Sequence, residues 1–384
     1  MKIVFWIGAG WLLYVYAGYP IALWLLGCFR RVHPVAGDAL PTVSVLISAR
    51  NEEKDIEWKV RQTLAWDYPV EQLQVLVASD ASEDRTDALL HSIRDPRFGF
   101  IRLPERVGKN SALNRLAAMA NGDLLFFTDA NSDIDAGCLR RMVRHFADPR
   151  VGCVTGVEDA VSGEPAAGLS TGGGAYLEYE SAINRLESDL GSVLVCDGSI
   201  FCMRRTLYRD VRPELANDLE LPLRVGRGGA WVLYEPSARS REYTTPSASE
   251  EFSRRKRICG QGILGLWTLR EQLTGLRAWQ FFSRKFLRWF SLAPMFTIFV
   301  ASVALRLDRW YAALLGLQCV FFALAAMGWL MSRQGKRPGR IIALPFYFLL
   351  MNVAAVRGIA EALLGRRFAV WDIAQLSRGR QGAA

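Results

Sequence analysis

Asp129-Ala130-Asn131 closes the apolar run Leu124-Leu125-Phe126-Phe127, so a carboxylate stands where a buried strand gives way to a loop. That is the place, outside the carboxyl ends of the strands, where α/β folds build metal and phosphate sites. Upstream, Asn51-Glu52-Glu53, Asp80 and Lys109 each also stand just past an apolar segment. The hard oxygens of Asp129 suit Mg2+ or Mn2+, ions that keep several waters while bridging two phosphates and neutralising them as they depart. Asn131 offers the same ion a carbonyl oxygen but no charge.

A nucleoside-diphosphate sugar presents a base, two phosphates and an activated anomeric carbon, so its site needs base-edge acceptors, a cation and a general base. Asp80 can accept from the N–H of the base, while Glu52 and the loop through Ala49 and Asn51 can fix base and ribose. Lys109, opening a helix, is placed to meet phosphate or base. Gly108-Lys109 does not end a phosphate-binding P-loop, because Leu103 stands where that motif needs Gly and Asn110 where it needs Ser or Thr. Downstream, Asn217-Asp218 precedes Leu219 to Val225 and can form the opposite wall. Asp218 is the expected base, the one carboxylate that an inverting transfer needs beside the acceptor hydroxyl. Glu220, inside Leu-Glu-Leu-Pro, is expected to be structural. In the helical stretch Glu250 to Leu273, Arg254 and Arg257 stand one turn apart. Guanidinium groups suit a diphosphate, and the competing account is a basic helix on anionic lipid headgroups; Arg257 is taken as the substrate contact.

The elements that must hold these residues follow from periodicity. Pro41 to Ser48, Leu73 to Ala78, Phe98 to Leu103 and Leu124 to Thr128 read as strands, separated by helices ending near Leu64, starting at Thr86 under a Ser82 or Asp84 cap, and opening at Gly108-Lys109-Asn110. Alternating strands and helices predict an α/β fold with a mostly parallel sheet. Gly163 to Gly174, rich in Gly, Ser and Ala, is expected to be a mobile loop.

The apolar residues gather at the two ends. Ile3 to Phe29, Trp289 to Leu305, Trp310 to Ser332 and Ile341 to Val356 carry no charge, which predicts three or four membrane spans. The first is expected to be an uncleaved anchor instead of a cleaved signal, since it outruns a signal core and stops at Arg30-Arg31. The expected organisation is a transmembrane anchor over 1–29, a cytoplasmic catalytic domain over 30–250, amphipathic interfacial helices over 251–288, a transmembrane region over 289–365 and a cytoplasmic tail over 366–384. Arg30, Arg31, Arg284, Lys285 and Arg288 beside the spans put the central domain on the cytoplasmic face of a plasma (inner) membrane. Arg357 and Glu361, one turn apart, would pair and could make the last segment interfacial.

Composition narrows the partners. The formal charge is +9, yet no nucleic-acid recognition motif accompanies it, so membrane anchoring and anionic substrates account for the basic excess. Seven cysteines without paired CxxC spacing and three histidines argue against a zinc site and fit a reducing compartment.

Taken in this order and between apolar ends, the motifs resemble those of the membrane-bound family 2 glycosyltransferases, which include cellulose, hyaluronan and poly-N-acetylglucosamine synthases, over most of residues 1–375. The resemblance implies an A-type glycosyltransferase (nucleotide-diphospho-sugar transferase) domain flanked by transmembrane helices, hexosyl transfer from a UDP-sugar with inversion, and a divalent metal. Ala49-Arg50-Asn51-Glu52 is similar to the family's first donor loop, Ser79-Asp80 to its uracil-binding motif and Asp129-Ala130-Asn131 to its metal motif. Val195 to Phe201 resembles the acceptor-site strand, putting Asp197 and Gly198 at the acceptor, and Asn217-Asp218 resembles the acidic pair whose second member is the base. Arg254 to Ile258 falls where processive members carry Gln-x-x-Arg-Trp. Only Arg257 matches, with Arg254 for the Gln and Ile258 for the Trp, which argues against long-chain synthesis. The implied partners are a UDP-sugar, a glycan or lipid-linked acceptor, the bilayer and other polysaccharide-biosynthesis proteins, with no nucleic acid. The competing reading is a catalytically silent scaffold that binds nucleotide sugar within a synthase complex.

Overall fold

The protein is described from a computed structural model, covering residues 1–161, 169–243, 248–336 and 338–366. Eight strands, β1 Val43–Ala49, β2 Leu73–Ser79, β3 Phe98–Arg102, β4 Leu124–Asp129, β5 Ser132–Ile134, β6 Val151–Val161, β7 Phe201–Arg204 and β8 Trp231–Tyr243, form one sheet. Their order is β3-β2-β1-β4-β7-β6-β8-β5. The first four pair in parallel, as the alternation of strands and helices predicts. Beyond β4 the sheet is mixed, because β7 runs antiparallel to both β4 and β6, and β5 antiparallel to β8.

Helices α1 Lys2–Leu13 and α2 Tyr19–Arg30 precede the sheet; α3 Ile56–Leu64, α4 Thr86–Ser92, α5 Lys109–Met119, α6 Cys138–Val143, α7 Leu169–Asp189, α8 Asn217–Arg227 and α9 Ala248–Thr268 belong with it. After it come α10 Gly275–Phe281, α11 Leu287–Trp289, α12 Leu292–Ala304, α13 Arg309–Arg333 and α14 Arg340–Leu363. Strand side chains alternate in direction, so one face of the sheet packs Val45, Ile47 and Phe126 against Val60 of α3 and Met142 of α6. The other face packs Leu46, Leu125 and Phe127 against Leu113 and Leu116 of α5 and Val225 of α8. With both faces covered, β1 and β4 read as unbroken apolar runs.

Phe127 and Phe201 lock β4 to β7, their rings stacked 4.4 Å apart at 6°. Phe201→Ala should therefore cost about 3–5 kcal/mol, the range for truncating a buried aromatic. A lowered denaturation midpoint of the purified variant is the check, and an unchanged midpoint would contradict this reading of the core.

Among the described residues, three helical segments are long and apolar enough to cross a membrane: Lys2–Arg30, Arg309–Arg333 and Arg340–Leu363. Gly275–Trp289 and Leu292–Ala304 pass the same criterion only as a pair bent by 55°, giving a fourth. The last segment is a longer helix than its uncharged stretch suggests, and Arg357 Nε donates to Glu361 at 3.2 Å near its end. A third apolar core joins these helices to the sheet domain, with Leu219 and Leu223 of α8 against Ile263 of α9, Trp289 of α11 and Ile359 of α14.

Two expectations need correction. The Gly/Ser/Ala-rich segment is helical from Leu169 onward, where α7 begins, and residues 162–168 lie outside the described residues. Val195 to Ile200 is a loop leading into β7, which starts only at Phe201. Arg284 and Arg288, read from sequence only as basic residues beside a span, are ion-paired to α7. Arg284 is buried, donating to Glu187 Oε2 and Glu180 Oε2 at 2.6 Å each, and Arg288 Nη2 donates to Glu180 Oε1 at 2.5 Å. Two buried guanidiniums need such carboxylates, and α7 supplies them. Of the expected cytoplasmic tail, only Arg366 lies within the described residues.

Candidate active site

The site grows from the carboxyl ends of β1, β2 and β4. Ala49 ends β1, and its carbonyl accepts from Asp80 N at 2.8 Å, joining the first two loops. Asn51 takes the left-handed conformation (φ 53°), a backbone that asparagine tolerates better than most residues, and its Oδ1 accepts from Glu83 N at 2.9 Å. Glu52 N donates to Thr86 Oγ1 at 2.8 Å, so the Glu52 backbone is tied to the start of α4. Asp84 Oδ1 caps that helix by accepting from Thr86 N at 2.9 Å.

Asp80 is buried, and its two carboxylate oxygens accept from Val107 N at 2.7 Å and Gly108 N at 2.9 Å. The carboxylate thus pins the loop that opens α5. Each oxygen keeps a further lone pair for a base N–H. Gly108 has φ 87°, which a side-chain-bearing residue would resist. The turn sends Lys109 back across the strand ends, where its Nζ meets Asp129 Oδ1 at 2.5 Å. Both side chains remain partly exposed.

Asn131 follows in the β4–β5 turn. Asp133 and Asp135 are both engaged: Gln62 Nε2 donates to Asp133 Oδ1 and Arg141 Nη2 to Asp135 Oδ2, each at 2.5 Å. Beneath the turn lies a residue that sequence reasoning missed. Lys59 of α3 is fully buried, with its Nζ donating to Ser132 O at 2.8 Å. Burial lowers its pKa to about 7, against the opposing pull of Asp129 and Asp133. The available signal was a lysine on the apolar face of α3, between Ile56, Val60 and Thr63.

The opposite wall is the loop before β7 together with the start of α8. Asp197 Oδ1 accepts from Ser199 N at 2.9 Å and Ser199 Oγ at 2.7 Å, and its Oδ2 from Glu158 N at 3.0 Å. Those bonds hold the loop in shape, while burial raises the Asp197 pKa. Cys196 N donates to Asp218 O at 2.9 Å, and a Cβ added at Gly198 would lie 3.6 Å from Asp218 Oδ2. Gly198 therefore lies directly against the Asp218 carboxyl group.

Burial raises the Asp218 pKa, opposed by the charges of Lys109, Lys285 and Arg257 and reinforced by that of Asp129. The same relation brings both walls and α9 together around one carboxyl group. Lys285 was not singled out as a site residue from sequence. Glu220, the rival carboxylate, is fully buried and committed to Arg224 and to Arg212 N, the latter at 3.0 Å. Among the described residues no group of three or more His, Cys, Asp and Glu converges to hold a metal ion unaided. One partly exposed carboxylate at a strand end fits a cation that arrives with a diphosphate and takes most of its oxygens from phosphate and water.

The family model for glycosyl transferase family 2 matches residues 44–212. The chain carries a family 2 glycosyl transferase domain. That domain holds Ala49, Asn51, Glu52, Asp80, Lys109, Asp129, Asn131, Asp197 and Gly198, whereas Asp218 and Arg257 lie beyond the matched residues. Beta-monoglucosyldiacylglycerol synthase of Synechocystis sp. is 30% identical over 238 residues, 58% of this chain and 49% of the relative. N-acetylglucosaminyltransferase of Rhizobium meliloti is 30% identical over 231 residues, 53% of this chain and 52% of the relative. The chain thus spans about half the length of the curated relatives it matches. The mannosyltransferase PcManGT of Pyrobaculum calidifontis, solved with GDP-Man and Mn2+, superposes with a TM-score of 0.68 at 20% identity, covering 92% of this chain and 99% of that one. That likeness shows the A-type glycosyltransferase fold.

Proposed function

We propose that the protein is an integral inner-membrane, inverting glycosyltransferase that moves a sugar from a UDP-sugar to a lipid-linked or growing glycan acceptor at the cytoplasmic face. The observation that carries this reading is the Lys109–Asp129 contact at 2.5 Å, both charges acting with Arg257 on the Asp218 carboxyl group, and Gly198 against that group. In this reading Ala49, Asn51, Glu52 and Asp80 hold the base and ribose. Asp129 and Asn131 would hold Mg2+ or Mn2+, which would supply Lewis-acid stabilisation of the leaving diphosphate. Lys109 exchanges its partner Asp129 for phosphate, and Arg257 contacts the diphosphate from α9. Asp218 takes the proton of the acceptor hydroxyl as that oxygen attacks the anomeric carbon from the side opposite the departing UDP. Asp197 and Gly198 shape the acceptor side.

The likeness to a glucosyldiacylglycerol synthase and an N-acetylglucosaminyltransferase supports a hexose or N-acetylhexosamine donor. Incubating detergent-purified protein with radiolabelled UDP-sugars, Mn2+ and a membrane lipid extract should give a labelled lipid-soluble product. Incorporation of a single sugar means single addition, and a ladder means chain extension. Absence of any labelled product across the donors would contradict the proposal.

A pH profile adds a second check. The raised pKa of Asp218 means that the base is unprotonated, and transfer present, above that pKa; activity is lost as pH falls through it. The acid limb of kcat/KM should therefore lie above the ordinary aspartate range, near pH 4. An acid limb at or below that range would count against Asp218 as base.

A further inference from the structure

We infer that Glu187 is a positioning residue for transfer: its carboxylate ties the loop that carries the acceptor wall to two candidate membrane-crossing segments. The N-terminal segment is thereby a working part of the active site as well as an anchor. This deepens, and rests on, the functional reading above, which puts Asp197, Gly198 and Asp218 at the acceptor.

Glu187 stands near the end of α7 and is fully buried. Its Oε1 accepts from Tyr19 Oη at 2.5 Å, in the segment Lys2–Arg30. Its Oε2 accepts from Arg284 Nη1 at 2.6 Å, in the bent segment Gly275–Trp289, and from Leu194 N at 2.9 Å, in the loop before β7. One carboxyl group thus joins three stretches of chain that are far apart or differently folded. A second tie lies beside it. Gln280 of α10, also fully buried, donates from Nε2 to Ser192 O at 3.1 Å and to Ser192 Oγ at 2.9 Å. The two segments are bonded to each other as well: Trp279 Nε1 donates to Tyr14 Oη at 2.9 Å, and the Tyr14 and Ser283 hydroxyls lie 2.7 Å apart.

From Leu194 the chain runs directly into the acceptor wall. Cys196 N, two residues on, donates to Asp218 O at 2.9 Å, and Asp197 N donates to Thr155 Oγ1 at 2.8 Å. Leu194 itself belongs to one buried apolar cluster with Leu219, the neighbour of Asp218, and with Phe281 and Trp289 of the bent segment. A displacement of either segment is therefore passed through a few close contacts to the base and to Gly198.

A buried carboxylate–guanidinium pair is a poor source of stability, because withdrawing both charges from water offsets most of their attraction. Apolar side chains of similar volume would hold the helices together, but none could accept from Tyr19, Arg284 and Leu194 N at once. What the carboxylate supplies is direction, since three donors fix its orientation and with it the place of Leu194. Arg284 has other partners in Glu180 Oε2 at 2.6 Å and Asn184 Oδ1 at 2.9 Å, so its charge stays paired without Glu187. On the donor side, Asp80, Lys109 and Asp129 are held by their own bonds at the strand ends, and donor binding should be indifferent to Glu187.

The test is steady-state transfer by the full chain in neutral detergent, with UDP-sugar, Mn2+ and the membrane lipid extract. Glu187→Leu should lower kcat roughly 10²-fold, the cost of an ångström-scale misplacement, and raise the half-saturating concentration of extract. Donor KM and Mn2+-dependent UDP affinity should stay within a factor of a few. Glu187→Gln, whose amide oxygen still accepts from Leu194 N, should recover most of the rate. Tyr19→Phe deletes one hydroxyl and leaves no charge unpaired, so it should fold and lower kcat severalfold with donor affinity preserved; it decides the matter if Glu187→Leu does not fold. Wild-type kcat in folded Glu187→Leu or in Tyr19→Phe would overturn the inference. So would UDP affinity lost in step with transfer, which marks general damage to the fold, or Glu187→Gln as slow as Glu187→Leu. Failure of wild type to transfer from any donor would instead strike the functional reading.

Discussion

Asp218→Asn is expected to lower sugar transfer by roughly 10²–10⁴-fold, the usual contribution of a positioned general base, while Mn2+-dependent UDP binding stays within a factor of a few. The amide keeps the size of the carboxyl group and leaves intact the backbone carbonyl that accepts from Cys196 N, so the loop before β7 keeps its anchor. What it removes is the proton acceptor beside Gly198 and the negative charge facing Lys109, Lys285 and Arg257. Loss of kcat with KM for the donor preserved identifies a group acting in the transition state. Glu220→Gln offers the contrast. Its carboxylate is fully buried and bonded to Arg224 and Arg212 N, so that substitution should lower stability and the yield of folded protein, leaving turnover per folded molecule unaltered. Wild-type turnover in Asp218→Asn would remove the base from the mechanism.

Asp129→Ala should have a comparable effect through a different step. It deletes the carboxylate at the end of β4, and it leaves Lys109 without the partner it meets at 2.5 Å. Lewis-acid stabilisation of a departing diphosphate is worth several kcal/mol, so turnover should fall by roughly 10³-fold. The enhancement of UDP affinity by Mn2+ should disappear as well. Metal-independent UDP binding should persist or tighten, because Lys109 becomes available to phosphate. That split between metal-dependent and metal-independent affinity separates Asp129 from Asp218. Retention of the Mn2+ effect in Asp129→Ala would show that the ion is held elsewhere.

Much of the sheet domain was legible because its signal is local. The apolar runs at β1, β2 and β4 are bounded by polar loops, and a carboxylate directly after such a run can hardly avoid the carboxyl end of a buried strand. The turn through Gly108 that brings Lys109 to Asp129 was read as a helix start, but its partner was not, since that contact depends on the lateral order of the strands. The same limit explains the antiparallel β7: four residues with no alternation carry no directional signal, and the stacking of Phe127 on Phe201 decides their place. Lys59 escaped notice because an isolated lysine in a polar helix looks solvated until the helix packs. The partners of Arg284 and Arg288 went unread for the converse reason. Basic residues next to an apolar run satisfy the pattern of headgroup anchors, and only the docking of α7 brings Glu180 and Glu187 within 2.6 Å. Long-range ion pairing of this kind follows no spacing rule in the chain.

The most direct measurement is UDP release by the detergent-purified protein with Mn2+ across a panel of UDP-sugars, with membrane lipid extract as acceptor and with Asp218→Asn and a chelator as controls. Release from one donor, dependent on the extract and abolished by both controls, is the predicted result. Silence for every donor despite measurable UDP binding would contradict catalysis and leave a nucleotide-sugar-binding scaffold as the account of this chain.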